Sequence, residues 1–292
     1  TRKNSYAERQ CCRKPPQDDT RRHAGAVSHG HVARESTLIL DTMNLKGKTA
    51  LITGAGRGIG RGVAIAYAQA GADVALVSRS QDQLDEVATE ARALGVRAVS
   101  IVADIGKPED IEAAVSTTVD QFGRLDILVN NAGINHRTPT VDFPIEEFDK
   151  IIDVNLRGVW YLSQQAAKQM LAQGDGGRII NTASLASHMG VPGLSAYAAS
   201  KGGVGMIIKV MAVEWATEGI TVNGVSPGYI ATPLTQPLRD DEEKNDWILS
   251  RIPMKRWGTP QDMAGLYVFL ASDAAAYITG QLFPVDGGWL AG

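Results

Sequence analysis

The chain has 292 residues, 44% of them hydrophobic, with 31 glycines and a formal net charge of −3. That length suits one large α/β domain or two small ones with a well-buried interior, and an acidic balance argues against nucleic acid as a partner. No apolar run approaches the roughly 18–20 residues of a membrane span, which excludes one. Both cysteines, Cys11 and Cys12, are adjacent and near the N-terminus. The rest of the chain therefore has no disulfide framework, thiol nucleophile or cysteine metal site, as expected of a reducing, cytoplasmic compartment.

Residues 1–42 differ in composition from the remainder of the chain. They carry eight Lys/Arg, five Asp/Glu and three of the five histidines, without hydrophobic periodicity before Leu38. Such a composition cannot bury enough apolar surface to offset chain entropy, so a disordered tail is expected. His23, His29 and His31 read as solvated side chains. The segment lacks the apolar stretch of a signal peptide, and its acids and prolines are unlike an organelle transit peptide. Its charges sum to +3, which leaves −6 for residues 43–292, read as one domain.

The domain opens with a short buried strand over residues 48–53, followed by Gly54-Ala-Gly-Arg-Gly-Ile-Gly60 and a helical run over 63–68. Strand, glycine turn and helix together point to dinucleotide binding, since the glycines admit a pyrophosphate to the backbone and the helix N-terminus stabilises its charge. A second strand, 72–77, ends at Ser78 and Arg79, where an NAD site usually places an acid against the ribose. A hydroxyl followed by a guanidinium suits a 2′-phosphate instead, with Arg57 as a second cation, so NADP(H) is expected over NAD(H). The competing reading is two solvated loop arginines.

Residues 84–94 read as helix and 98–102 as strand, and Asp104, followed by Ile105, can accept a hydrogen bond from an adenine amino group. Helix 111–122 leads into strand 125–129 and Asn130-Asn-Ala-Gly133. This alternation predicts a doubly wound parallel sheet with helices on both faces. A long helix over 146–173 carries Asn155, unfavourable at mid-helix unless it hydrogen-bonds. Strand 178–183 places Ser184 at its carboxyl end, the edge where open α/β sheets bind ligands.

Helix 196–213 then presents Tyr197 and Lys201 four residues apart, on one face. A phenol titrates near ~10, too high for proton exchange at neutral pH, and a neighbouring ammonium lowers it. Such a tyrosine is a general acid/base for a hydroxyl or carbonyl. The same spacing also occurs on helices with no chemistry. Strand 220–225 runs into Pro227-Gly228 and Thr232, and the last strand covers 283–285. Between Thr232 and Trp257 a charged run, 239–246, is flanked by apolar residues, which predicts a lid that moves without unfolding the sheet.

Taken together these motifs resemble the short-chain dehydrogenase/reductase family over residues 44–292. The family's glycine turn appears as Thr53-Gly-Ala-Gly-Arg-Gly-Ile-Gly60, its Asn-Asn-Ala-Gly as Asn130 to Gly133, its tetrad as Asn155, Ser184, Tyr197 and Lys201, and its Pro-Gly as Pro227-Gly228. The resemblance implies a Rossmann-type fold and no metal. It also implies cofactor contacts from Gly54, Gly58, Ile59 and Gly60 in the glycine turn, and from Ile105, Asn131, Ala132 and Gly133. Further contacts are implied from Pro227, Gly228, Ile230 and Thr232, beside Tyr197 and Lys201.

In the implied mechanism Tyr197 exchanges a proton with the reacting oxygen, Ser184 hydrogen-bonds it, Lys201 binds the nicotinamide ribose and lowers the Tyr197 pKa, and Asn155 holds a relay water. Within the family the likeness is to gluconate 5-dehydrogenases and related sugar-acid enzymes. It is carried by Asn131-Ala-Gly-Ile-Asn-His-Arg-Thr-Pro139, Phe143-Pro144, Arg251-Ile-Pro-Met-Lys-Arg-Trp-Gly258 and Val285-Asp-Gly-Gly-Trp289. Asn135, Arg137 and His188, with His136, are the candidate contacts to a polyhydroxy acid; the alternative is plain surface-loop residues. Acyl-carrier ketoreductases share the core and Ala274-Ala-Ala-Tyr-Ile-Thr-Gly280, and a non-catalytic NADP-binding regulator is the remote alternative. Relatives pair through the helices bearing Asn155 and Tyr197, so a homotetramer is expected, with Trp215, Trp289 and residues 266–270 as anchors.

Overall fold

Short runs of Val, Ile, Leu, Ala and Thr become central strands because both faces of each are covered. The structure, a computed structural model, describes residues 38–292. Strand β1 (Thr49–Thr53) is buried at every position. Ala50 and Ile52 point into one apolar cluster and Leu51 into another on the opposite face. Helix α1 (Gly58–Gln69) and strand β2 (Asp73–Ser78) follow. Helix α2 (Gln81–Ala93) buries Leu84, Val87, Ala88 and Ala91, an i, i+3, i+4, i+7 stripe. Next come β3 (Ala98–Val102) and α3 (Pro108–Phe122), which starts at a proline and stops at Gly123 with φ +82°.

Beyond β4 (Ile127–Asn130) lie α4 (Ile145–Ile152) and α5 (Val159–Gln173), joined by a π-helical segment, Asp153–Gly158. Sequence periodicity predicts one uninterrupted helix here. The extra residue in the π turn is the difference, and Asn155 lies inside it. The chain continues as β5 (Gly177–Thr182), α6 (Ser195–Trp215), β6 (Ile220–Pro227), α7 (Gln236–Arg239), α8 (Glu242–Arg251), α9 (Pro260–Ala271) and β7 (Leu282–Val285). All seven strands are parallel, in the order β3-β2-β1-β4-β5-β6-β7. Helices α1, α2 and α9 cover one face, and α3, α5 and α6 the other.

Leu38–Gly292 forms one compact unit. Residues 39–42, assigned to the tail by composition, belong to a 3-10 turn, Ile39–Met43, in which the Thr42 hydroxyl donates to the Ile39 carbonyl at 2.6 Å. The rest of the expected disordered tail, residues 1–37, lies outside the described residues. No helix among the described residues is long and apolar enough to cross a membrane.

Strand order reverses between β1 and β4, so a crevice opens where their carboxyl ends diverge. A polar clasp spans it. Thr53 Oγ1 accepts from the Asn131 and Ala132 amides, both at 3.0 Å, and Asn131 Nδ2 donates to the Thr53 carbonyl at 2.9 Å. Replacing Thr53 by valine keeps the shape and orphans both amides, each worth about 1–3 kcal/mol when left unpaired. Urea unfolding of Thr53→Val is expected to show a loss of about 2 kcal/mol or more, and Thr53→Ser to stay near the parent. A valine variant as stable as the parent would remove the clasp's structural role.

Candidate active site

At the carboxyl edge of the sheet lies a cleft of about 400 Å³. One end is built by the glycine turn after β1. Helix α1 begins there with no side chain capping its N-terminus and no acid in its first turn. Gly58 and Ile59 of its first turn line the cleft, and a helix N-terminus without a side-chain cap suits a pyrophosphate. Gly58 has φ +58°, which a side chain would strain. Gly60 serves differently from expectation. It does not line the cleft; a Cβ on it would stand 2.2 Å from the Gly54 carbonyl oxygen and 2.5 Å from Asn131 Nδ2. Close packing of turn, helix and clasp requires that glycine.

The other expected cofactor contacts do line the cleft: Gly54, Arg57, Gly58 and Ile59 from the glycine turn, Ser78 and Arg79 after β2, Asp104 and Ile105 after β3. Asn131 to Gly133 line it after β4, Tyr197 and Lys201 from α6, and Pro227, Gly228, Ile230 and Thr232 after β6. Asp104 Oδ1 accepts from the Gly106 amide at 2.9 Å, which fixes the carboxylate at the rim. Arg57 and Arg79 are exposed and form no ion pair among the described residues. Gln83 also lines the cleft beside Ser78, as do Leu234 and Thr235. Gln83 lies one helical turn past Arg79, a position that carries no composition signal. The residues present therefore fit a nicotinamide dinucleotide.

Across the cleft from the turn, Ser184 extends β5. Its Oγ accepts from the Ala186 amide at 3.1 Å, leaving the hydroxyl proton to donate into the cleft. The next turn is tied to α6, since Ser187 Oγ donates to the Lys201 carbonyl at 2.8 Å. Helix α6 projects Tyr197 and Lys201 from one face, with Lys201 Nζ 5.8 Å from the centre of the Tyr197 ring. That ammonium donates to the Thr182 carbonyl at 2.6 Å and is 3% exposed. Asn155 is fully buried and does not line the cleft. Its Oδ1 accepts from the Ile134 amide at 2.9 Å and its Nδ2 donates to the Ile134 carbonyl at 2.8 Å. The π turn thus aims Asn155 at the turn after β4, and its side chain clamps that backbone.

The candidate substrate residues lie outside the cleft proper. Arg137 Nη1 donates to the Pro192 carbonyl at 3.1 Å, and His188 Nε2 bonds the buried Ser226 hydroxyl at 2.8 Å. Asn135 is exposed, and His136 is occupied by Thr138 Oγ1 at 2.9 Å. Helices α7 and α8, the expected lid, rest on a small separate cluster of Leu185, Ile248, Ile252 and Trp289. The lid's two ends are bridged, with the Gly258 amide donating to the Tyr229 carbonyl at 2.9 Å and the Ala231 amide to the Gly258 carbonyl at 2.8 Å.

The expected lowering of the Tyr197 pKa by Lys201 is not what this arrangement produces. Burial raises the phenol, with Ser184 acting weakly the other way. Lys201 is itself lowered from 10.5 to about 8, because burial disfavours its charged form. Between pH 8 and 10.5 the unfolded chain consequently binds the lysine proton more tightly than the folded one, so this group makes stability rise with pH. Relative to Lys201→Met, the cofactor-free protein is expected to gain about 3 kcal/mol across that window in denaturant titrations. A difference that does not change with pH would contradict the burial of a titrating lysine.

Residues 54–290 match the family model described as enoyl-(acyl carrier protein) reductase. The 2-dehydro-3-deoxy-D-gluconate 5-dehydrogenase of Escherichia coli is 44% identical over 254 residues, 87% of this chain and all of that protein. A 3-oxoacyl-[acyl-carrier-protein] reductase of Synechocystis is 43% identical over 246 residues, 84% of this chain and 97% of its own length. The crystal structure of a gluconate 5-dehydrogenase from Burkholderia cenocepacia, in complex with NADP and tartrate, is 40% identical with a TM-score of 0.83, covering 87% of this chain and 99% of that one. With the glycine turn, the Asn-Asn-Ala-Gly turn and the serine, tyrosine and lysine gathered at one cleft, the chain belongs to the short-chain dehydrogenase/reductase family.

Proposed function

We propose that the protein is an NADP(H)-dependent oxidoreductase that interconverts a secondary alcohol and a ketone on a sugar acid such as gluconate, with 5-keto-gluconate as the reducible form. The observation that carries this reading is the convergence of Ser184, Tyr197 and Lys201 on the dinucleotide cleft. The sugar-acid relatives support the substrate class, and the relative solved with NADP and tartrate, itself a hydroxy acid, supports both cofactor and charge. A bound nicotinamide would supply or accept the hydride. The chain's own residues manage the oxygen. Ser184, its lone pair occupied by Ala186, donates to the substrate oxygen and fixes its place. Tyr197 passes its proton to that oxygen in reduction and recovers it in oxidation. Lys201 places a positive charge beside the phenolate this leaves. Asn155 holds the Ile134 backbone so that Gly133 stays against both side chains.

A second reading, an acyl-carrier ketoreductase, is favoured by the Synechocystis relative. Retention of all four tetrad residues weighs against a non-catalytic regulator. NADPH oxidation across keto-sugar acids, acyl thioesters and cyclic ketones separates these readings, with the sugar acids expected to be turned over best. Ser78, Arg79 and Arg57 at the ribose end support NADPH over NADH. Arg79→Asp is expected to reverse that order, by roughly tenfold to over a hundredfold in affinity, the worth of a charge-assisted phosphate pair. Equal binding of both cofactors by the parent enzyme would sink the preference.

Exposed apolar residues on α5 and α6, including Trp160, Met206, Val210 and Val213, support the homotetramer, which light scattering at micromolar concentration would read. A cytoplasmic location accords with a body free of cysteine. The lid reading has its own readout. Hydrogen exchange in residues 232–257 is expected to slow on adding NADP(H) and a carbonyl ligand, and protection that is high and unchanged would make the segment fixed scaffold.

A further inference from the structure

Next to Ser184 the chain builds an aromatic floor. Leu185 packs in a cluster with Trp289, Tyr229 and Trp257. The Tyr229 and Trp289 rings are 4.7 Å apart between centres, Trp247 and Trp289 5.8 Å, and Tyr229 and Trp257 5.6 Å. Tyr229 directly follows Pro227-Gly228, and Leu185 directly follows Ser184, all three of the cleft wall, so the cluster borders the cleft at two points of the chain. Arg251, the last residue of α8, lies over it. Its guanidinium is 5.4 Å from the Trp289 ring centre and 5.7 Å from that of Trp247.

What distinguishes this arginine is what it lacks. It forms no ion pair and no side-chain hydrogen bond among the described residues, while nearby Arg256 is held by Asp262 at 2.7 Å. Its exposed guanidinium keeps all five donors free of protein partners among the described residues. Arg137 has one bond, to the Pro192 carbonyl at 3.1 Å, and no acidic partner among the described residues. Burial pushes the Tyr229 phenol up, and the two guanidinium charges, Arg137 and Arg251, act the other way. The Tyr229 hydroxyl has no hydrogen-bond partner of its own among the described residues. An unpaired guanidinium over rings suited to the C–H face of a polyol forms a receptor for an anion carried on a hydroxylated chain.

We infer that Arg251 receives the carboxylate of the substrate and is a specificity-determining residue of this enzyme. The assignment rests on the sugar-acid reading. It also explains why the cation sits on α8 rather than on the sheet. An acidic substrate then draws the lid onto itself, and a neutral carbonyl does not.

The test compares the parent enzyme, Arg251→Met and Arg251→Lys with NADPH, on a keto-sugar acid and on an uncharged ketose of similar size. Arg251→Met is expected to raise KM for the acid at least tenfold with kcat within threefold, and to leave the ketose unchanged. Arg251→Lys is expected to fall between, keeping the charge without the fork. Equal losses on both substrates would mean that Arg251 only packs the lid, and no change on either would mean that it faces solvent; each overturns the assignment. Thermal melting of the variants checks that the fold is kept. Calorimetric binding of gluconate to the enzyme–NADP complex gives a readout independent of turnover. Should the parent reduce only the ketose, the sugar-acid function falls. The anion site then stands if gluconate binding weakens tenfold in Arg251→Met, and falls if it does not.

Discussion

The clasp between Thr53 and Asn131 is the constraint on which the site depends. Parallel strands that diverge at a topological switch point leave a gap, and the gap's width decides whether a dinucleotide fits. Here one hydroxyl and one carboxamide set it. Asn131 Nδ2 reaches the Thr53 and Gly54 carbonyls at 2.9 and 3.4 Å, and its Oδ1 accepts from Thr182 Oγ1 at 3.3 Å. Thr182 in turn bonds the Tyr267 hydroxyl at 2.7 Å, and its carbonyl holds Lys201. A buried polar chain thus runs from α9 on one face of the sheet to α6 on the other, through the ends of β1, β4 and β5. Such a chain is stable only when each member is satisfied, which makes Lys201 a structural partner.

That role accounts for the electrostatics. Lys201 is buried because its ammonium completes the chain at Thr182, and burial is what lowers its pKa. Tyr197, raised by the same dry surroundings, stays protonated. The pair is therefore set in the state from which a proton can be given to a carbonyl, and a charge arriving in the cleft shifts both. The π turn plays a related part on the next helix. It turns Asn155 toward Ile134, so the backbone that passes Gly133 is held from behind.

Much of this was legible in the residues. Apolar runs bounded by glycine marked the strands to within two residues, since central parallel strands are buried on both faces and need no alternation. The glycine turn, Ser184, Tyr197 and Lys201 fell where strand ends meet helix starts. What stayed hidden depended on packing across the chain. Gly60 reads as a ligand glycine and turns out to make room for Gly54 and Asn131, which sit far apart in sequence. Asn155 reads as a mid-helix anomaly, and the register shift that resolves it has no periodic signature. The direction of the Tyr197 shift requires knowing how deeply the phenol itself is buried, and spacing of four residues says nothing about depth. Residues 39–42 look like tail by composition yet enter a 3-10 turn.

The bridge between Ile230 and Gly258 has a consequence for how such an enzyme changes over time. Because the two ends of the lid are hydrogen-bonded to each other at its base, the sheet meets the intervening residues as a single closed loop. Each doubling of a closed loop's length costs only about 0.6 kcal/mol in closure entropy, so residues can be gained, lost or exchanged there with little effect on the strands beneath. The small cluster under α8 is separate from the two sheet clusters, which insulates the core further. Selection can therefore redraw this segment as an exchangeable cassette, while the strand ends beneath stay where the clasp puts them.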